Sequence, residues 1–145
     1  MPKRIYKIQG ISLGTASSNT RYGRKEDSLL VTLPQESILS GKFTSNKLKA
    51  APVKLAIEHL SNSKKAKKIL LINAGNANAA TGPKGLKDVR KYCREIALEF
   101  KTSQENVIPF STGVIGEPLA TENYLSAFRE ASKSLSENKW KKAAE

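Results

Sequence analysis

Between Ile69 and Thr112 the sequence changes periodicity twice. Ile69 to Ile72 (ILLI) is a continuous apolar run between a lysine cluster and a Gly/Asn-rich stretch, which predicts a central strand. From Gly85 onward, Leu86, Val89, Cys93, Ile96, Ala97 and Phe100 recur at three- and four-residue spacing, the apolar stripe of a long helix. Val107 to Phe110 predicts a second short strand despite Pro109. Strand, loop, helix, strand is a crossover unit, so a mixed α/β architecture is expected.

The flanking segments are weaker. Ser28 to Leu33 (SLLVTL), stopped by Pro34, reads as a buried strand, and Gly41 to Asn46 as another strand or its end. Ala51 to Leu60 reads as a helix with Val53, Ala56, Ile57 and Leu60 on one face and Pro52 in the first turn. Thr121 to Leu135 is the last predicted helix, with Leu125, Phe128, Ala131 and Leu135 inward. Ile5 to Ile8 could form a short strand, Gly10 to Lys25 reads as loop, and Ser136 to Glu145 as a polar tail around Trp140. No repeat or linker divides the chain. At ~150 residues per domain, residues 1–145 are expected to be one domain.

Composition excludes several chemistries. A single cysteine, Cys93, cannot form an internal disulfide framework or a Cys-rich zinc site. A single histidine, His59, rules out a multi-His metal site, so no metal is expected. His59 is expected at the surface or partly packed rather than as a base, and Cys93 as a small core residue. No run of 18 apolar residues occurs, and the amino terminus has no secretory or transit pattern, which suggests a cytoplasmic setting without membrane. The net charge is +12, and all of the excess lies in residues 1–90, where 17 Lys/Arg face 5 Asp/Glu. The densest cluster is Lys64, Lys65, Lys67 and Lys68. A phosphate-binding patch is one reading. Against it, Lys outnumbers Arg by 19 to 6 and no aromatic residues interleave with the lysines, so a solvated face is expected and nucleic acid is not.

Three strings stand out. Asn73 to Gly82 (NAGNANAATG) follows a predicted strand and precedes a predicted helix. Small residues allow close backbone approach, and Asn side chains satisfy loop backbones. The residues leave two readings open, a ligand loop at a helix N-terminus or a purely structural loop; no nucleotide pattern is matched. Ser111 to Gly116 (STGVIG) lies at the carboxyl end of a predicted strand, where ligands gather in α/β sheets. A Thr-Gly pair there can present a hydroxyl and a backbone N–H together, the donors of an oxyanion hole. Taken alone, the string reads first as a strand-to-helix turn. Ser111 has no base at a recognisable spacing and is not assigned as a nucleophile. Phe43 to Val53 (FTSNKLKAAPV) dictates no chemistry by itself.

Together and in this order, FTSNKLKAAPV, INAGNANAATG and STGVIG resemble the ornithine acetyltransferase family, also called ArgJ or bifunctional glutamate N-acetyltransferase. GRKEDSLLV (Gly23 to Val31) is similar to an early segment of the family, and the resemblance spans roughly residues 10–145. It implies an αββα sandwich of the N-terminal-nucleophile type, incomplete in this chain. It also implies transfer of an acetyl group from N-acetylornithine to glutamate, with acetyl-CoA a further donor in some members and no cofactor. Family precursors cut themselves into α and β chains that stay associated, and the new amino-terminal threonine of β is the nucleophile. Carried over by motif, the oxyanion-hole pair falls on Thr112 and Gly113, and the Asn-rich loop supports the site. Ala74 and Ala80 stand where the family commonly has Ser and Cys, both small-for-small changes. The nucleophile and substrate-binding residues are expected beyond residue 145. The sequence thus reads as an amino-terminal α-chain portion, inactive without its β chain. The rival readings are a basic α/β nucleic-acid-binding module and a catalytically inactive relative.

Overall fold

The structure, a computed structural model, describes residues 5–145. Four strands form one sheet in sequence order: β1 (Ser12–Ala16), β2 (Ser28–Leu33), β3 (Lys68–Asn73) and β4 (Val107–Ser111). β1 and β2 are antiparallel, as are β2 and β3. β3 and β4 run parallel, joined by helix α2 (Gly82–Glu99), which is the crossover expected from the two periodicities. The other helices are α1 (Ala51–Asn62), α3 (Thr121–Lys133) and the short α4 (Trp140–Ala144).

One face of the sheet carries the core. Side chains alternate across a strand, so Ala16, Leu30, Ile69, Leu71 and Val107 point the same way. They pack against Leu55 of α1, Val89, Tyr92, Cys93 and Ile96 of α2, and Tyr124, Leu125 and Phe128 of α3. Tyr92 and Phe128 meet edge to face, with ring centroids 5.4 Å apart at 61°. Such a pair adds about 0.5–1.5 kcal/mol beyond the area it buries. The opposite face is only partly covered. Leu29, Leu70 and Ile72 are half-buried there, and Phe110 is 44% exposed.

Several expectations are corrected. Ile5 to Ile8 carries no strand; the first strand is Ser12–Ala16, inside what composition reads as loop. SLGTA is poor in β-formers, and its pairing with β2 and coverage by α3 make it a strand. Gly14 is required by that coverage, since a Cβ there would lie 2.0 Å from the Ala131 carbonyl oxygen. Gly41 to Asn46 forms no strand either. The Thr44 hydroxyl accepts from the Asn46 N–H and the Asn46 side chain from the Leu48 N–H, local turns that compete with a ladder. α2 begins at Gly82 rather than Gly85, with Pro83 in its first turn. The tail contains α4, which packs on β1.

His59 is not at the surface but fully buried. The inward face of α1 is rotated from the expected stripe: Ala51, Pro52, Leu55, Ala56 and His59 are buried. His59 Nδ1 donates to the Val107 carbonyl at 2.7 Å, which fixes the proton on that nitrogen because a carbonyl only accepts. The histidine therefore ties α1 to β4.

Replacing Gly14 by Ala is expected to force α3 off β1 and lower stability by about 1–3 kcal/mol. Urea unfolding of the parent and variant proteins measures this. An unchanged midpoint would show that α3 has room to spare.

Candidate functional site

Parallel pairing brings the carboxyl ends of β3 and β4 side by side, with Asn73 opposite Ser111. The pairing continues past the sheet. The Thr112 N–H donates to the Asn73 carbonyl at 3.0 Å, Val114 N–H to Gly75 at 3.2 Å and Ala77 N–H to Val114 at 2.9 Å. Gly116 N–H then reaches the Ala79 carbonyl at 2.8 Å. The second and third strings of the sequence are thus one interlocked unit.

Gly113 lies at the closest approach. Its φ is +129°, and a Cβ would stand 2.3 Å from the Gly75 carbonyl carbon and 2.5 Å from the Asn76 nitrogen. Only glycine fits this backbone and this gap. Thr112 and Gly113 are both exposed. Among the described residues, neither the Thr112 hydroxyl nor the Gly113 N–H has an acceptor, while the Thr112 N–H is already engaged. Two donors on adjacent residues are therefore free at the end of a rigid strand pair.

The three asparagines of the loop are spent on backbone. Asn73 Nδ2 donates to the Asn76 carbonyl at 2.8 Å. Asn76 Nδ2 donates to the carbonyls of Glu117 and Pro118, and its Oδ1 accepts the Asn78 N–H at 2.7 Å. Asn78 Nδ2 donates to the Gly85 carbonyl at 3.0 Å and its Oδ1 accepts from Thr81, anchoring the start of α2. Asn73 and Asn78 are wholly buried, and Asn76 nearly so. Of the two readings the residues left open, the arrangement is the structural one: these side chains hold turns.

A second wall comes from residues that no spacing groups together. Buried Asp27 accepts the Ser18 N–H at 2.8 Å and hydroxyls from Ser18 and Ser28, while its carbonyl accepts the Ala74 N–H at 2.8 Å. The Tyr124 hydroxyl, from α3, donates to the Ala74 carbonyl at 2.9 Å. Arg21 and Glu117 form a two-point ion pair at 2.8 and 3.0 Å across the Gly75–Asn76 turn. Behind this turn is a cavity of about 280 Å³, bordered by Thr20, Arg21, Asn76, Glu117 and Tyr124. A larger open cavity of about 660 Å³ lies against the half-covered sheet face, between Thr15, Leu29, Ile72 and Lys142. Neither is bordered by Thr112 or Gly113, which are exposed at the strand end.

Other candidates are placed away from this unit. Cys93 is buried in the helix–sheet core as expected, and burial pushes its thiol well above the usual range. Burial does the same to the Tyr92 phenol. Ser111 donates its hydroxyl to Asn73 Oδ1 at 2.6 Å. Among the described residues no three His, Cys, Asp or Glu side chains group to hold a metal ion, and no helix is long and apolar enough to cross a membrane. Lys64, Lys65 and Lys67 are exposed before β3, at the opposite end of the sheet from Thr112. Lys68 is buried, its ammonium bound to the carbonyls of Lys64 and Ala66, so it leaves the surface cluster.

The chain matches known proteins along nearly its full length. A family model described as the ArgJ family matches residues 12–145. The "Arginine biosynthesis bifunctional protein ArgJ" of Methylococcus capsulatus is 42% identical over 141 residues, covering 97% of this chain and 34% of the relative. The protein of the same name from Colwellia psychrerythraea is 37% identical, covering 99% and 36%. The chain therefore spans about a third of the length of these relatives. Among solved structures, an ornithine acetyltransferase from Mycobacterium tuberculosis complexed with ornithine shares the fold, with a TM-score of 0.81 at 24% identity over 90% of this chain and 69% of that one. An arginine biosynthesis bifunctional protein ArgJ from Bacillus halodurans gives 0.75 at 28% identity, covering 84% and 63%.

Brief alkylation at mildly alkaline pH, followed by peptide mapping, is expected to leave Cys93 unmodified in the native protein and to modify it fully in denaturant. Rapid native labelling would mean that the packing of α2 against the sheet opens readily.

Proposed function

The chain belongs to the ArgJ family, and from that premise we propose that it supplies the oxyanion-binding part of an acetyltransferase that moves the acetyl group of N-acetylornithine to glutamate. Thr112 and Gly113 are the residues of this role. The observation that carries it is the pair of unengaged donors, the Thr112 hydroxyl and Gly113 N–H, on a backbone that Gly75 and Asn76 hold without clearance.

The chemistry assigns each group a task. A threonine hydroxyl outside these 145 residues adds to the acetyl carbonyl carbon, its proton passing to that threonine's own amine. The carbonyl oxygen gains a negative charge as the tetrahedral intermediate forms. Thr112 and Gly113 donate to that oxygen. When the intermediate collapses, the amide C–N bond breaks, the nitrogen takes the proton and ornithine leaves. The acetyl group is then an ester on threonine, and the amine of glutamate reverses the sequence on the same oxyanion donors. Donors already fixed before reaction need no reorganisation as charge develops, which is what makes them effective. The reading requires no cofactor; acetyl-CoA would enter only as an alternative acetyl donor.

The partner in this proposal is a β chain of the same precursor. It would provide the nucleophile and the substrate-binding residues, and residues 1–145 would be the amino-terminal part of the α chain. The half-covered sheet face with Leu29, Leu70, Ile72 and Phe110 supports this, because apolar surface of that kind is normally buried against another layer. An αββα sandwich would supply that layer as a second sheet. The cytoplasm is the setting this reading implies.

The test is ornithine release from N-acetylornithine in the presence of glutamate, by the protein expressed from its complete gene. Thr112→Ala is expected to slow transfer ~10²-fold or more. An unchanged rate would remove Thr112 from the role, and absence of transfer by the parent protein would end the acetyltransferase reading.

A further inference from the structure

Resting on the acetyltransferase reading, we propose that Asn73 is a positioning residue for the oxyanion donors, acting through Ser111 on one side and Asn76 on the other. Asn73 is wholly buried at the last position of β3. Three of its groups are engaged around the donor pair. Its main-chain carbonyl holds the Thr112 N–H at 3.0 Å. Its Nδ2 donates to the Asn76 carbonyl at 2.8 Å, and its Oδ1 accepts the Ser111 hydroxyl at 2.6 Å.

The orientation of the amide follows from its partners. A carbonyl oxygen can only accept, so the NH₂ must face Asn76 and the oxygen must face Ser111. Ser111 is thereby compelled to donate, which consumes its only proton. The amide thus clamps two backbones. One leg is the end of β4, where Ser111 immediately precedes Thr112. The other is the Gly75–Asn76 turn, which Gly113 touches without room for a methyl group. A shift of the Asn76 carbonyl is transmitted to Gly113, and a rotation at Ser111 is transmitted to Thr112. These bonds are additional to the β3–β4 ladder, which already sets the register. Their effect is on where the two donors lie relative to each other.

No other side chain serves both legs. Aspartate would set a carboxylate oxygen against the Asn76 carbonyl, since it has no N–H to donate. Serine is too short to span the two, and glutamine adds a methylene where Asn73 has no exposed surface.

The experiment uses the protein expressed from its complete gene, comparing Ser111→Ala, Asn73→Ala, Asn73→Asp and the Ser111→Ala/Asn73→Ala double variant, with Thr112→Ala measured beside them. Misplaced catalytic donors cost roughly 10- to 100-fold. Each single variant is expected to lose that much in kcat with KM within about twofold. The double variant should be no slower than Asn73→Ala alone, because one clamp is broken only once. Ser111→Thr, which keeps the hydroxyl, should recover most of the kcat. An unchanged kcat in folded Ser111→Ala or Asn73 variants, with Thr112→Ala slow, overturns the positioning role and leaves the acetyltransferase reading standing. A loss confined to KM overturns it as well. Parental rates in Thr112→Ala would bring down the oxyanion reading and this inference with it. If Asn73→Ala does not fold, the half-buried Ser111 and its Ala and Thr variants decide the question.

Discussion

Parallel pairing of β3 with β4 is the constraint on which the rest depends. Parallel strands need a crossover, and α2 provides it while burying its apolar stripe on the sheet. The pairing also places both strand ends on one edge, so the loops that follow leave together. Those loops continue to bond through Gly75, Ala77 and Val114 after the ladder ends. The result is irregular backbone with the rigidity of a sheet, and it is there that two donors remain unengaged.

The uneven burial of the sheet is the second physical fact. Its helix-covered face holds Leu30, Ile69, Leu71 and Val107 at 0% exposure. On the other face Phe110 stands 44% exposed, beside half-buried Leu70 and Ile72. A strand such as ILLI, apolar on both faces, is typical of a sheet covered on both sides. Its apolar residues on the open face are the surface that the proposed second layer would bury. The positive charge is balanced only in part. Arg90, Arg94 and Arg129 are paired with Glu58, Glu95 and Glu99, while among the described residues most of the excess lysines of residues 1–90 have no carboxylate to pair with. The cluster at Lys64, Lys65 and Lys67 lies at the far end of the sheet from the donors and has no part in their geometry.

What was legible in the sequence follows from how local each signal is. The stripe from Leu86 to Phe100 and the runs ILLI and SLLVTL carry their own periodicity, and they fold as read. β1 was hidden because SLGTA becomes a strand through β2 and α3, and Gly14 signals a helix backbone that lies far away in sequence. His59 was misplaced because a polar residue is scored against burial, whereas its Nδ1 meets a carbonyl on β4. At the site, Thr112 and Gly113 could be singled out by their motif. Of their supports, the Asn-rich loop was legible by the same resemblance, and the wall around Asp27 and Tyr124 was not. Ser18 meets Asp27 only because the hairpin register sets Ala16 opposite Ser28, and Tyr124 reaches Ala74 only through the docking of α3. Long-range contacts of this kind leave no spacing to detect.

The asparagines of the loop also answer an energetic question. Asn78 and Ala80 both have positive φ, at +45° and +58°. For alanine this conformation costs on the order of 1–2 kcal/mol, while asparagine adopts it more readily. Such strain persists only where neighbouring bonds over-determine the backbone. Here they do. Asn78 is fixed by Gly85 and Thr81 through its side chain and by Ala51 through its carbonyl, and the Ala79 carbonyl receives Gly116. A loop that needed only to connect β3 to α2 could relax to an unstrained turn. This one is held strained, with buried amides on every side, next to a glycine that tolerates no side chain. That combination is costly for a mere connection, and it is what the proposed oxyanion role would ask of a backbone whose N–H must stay in one place.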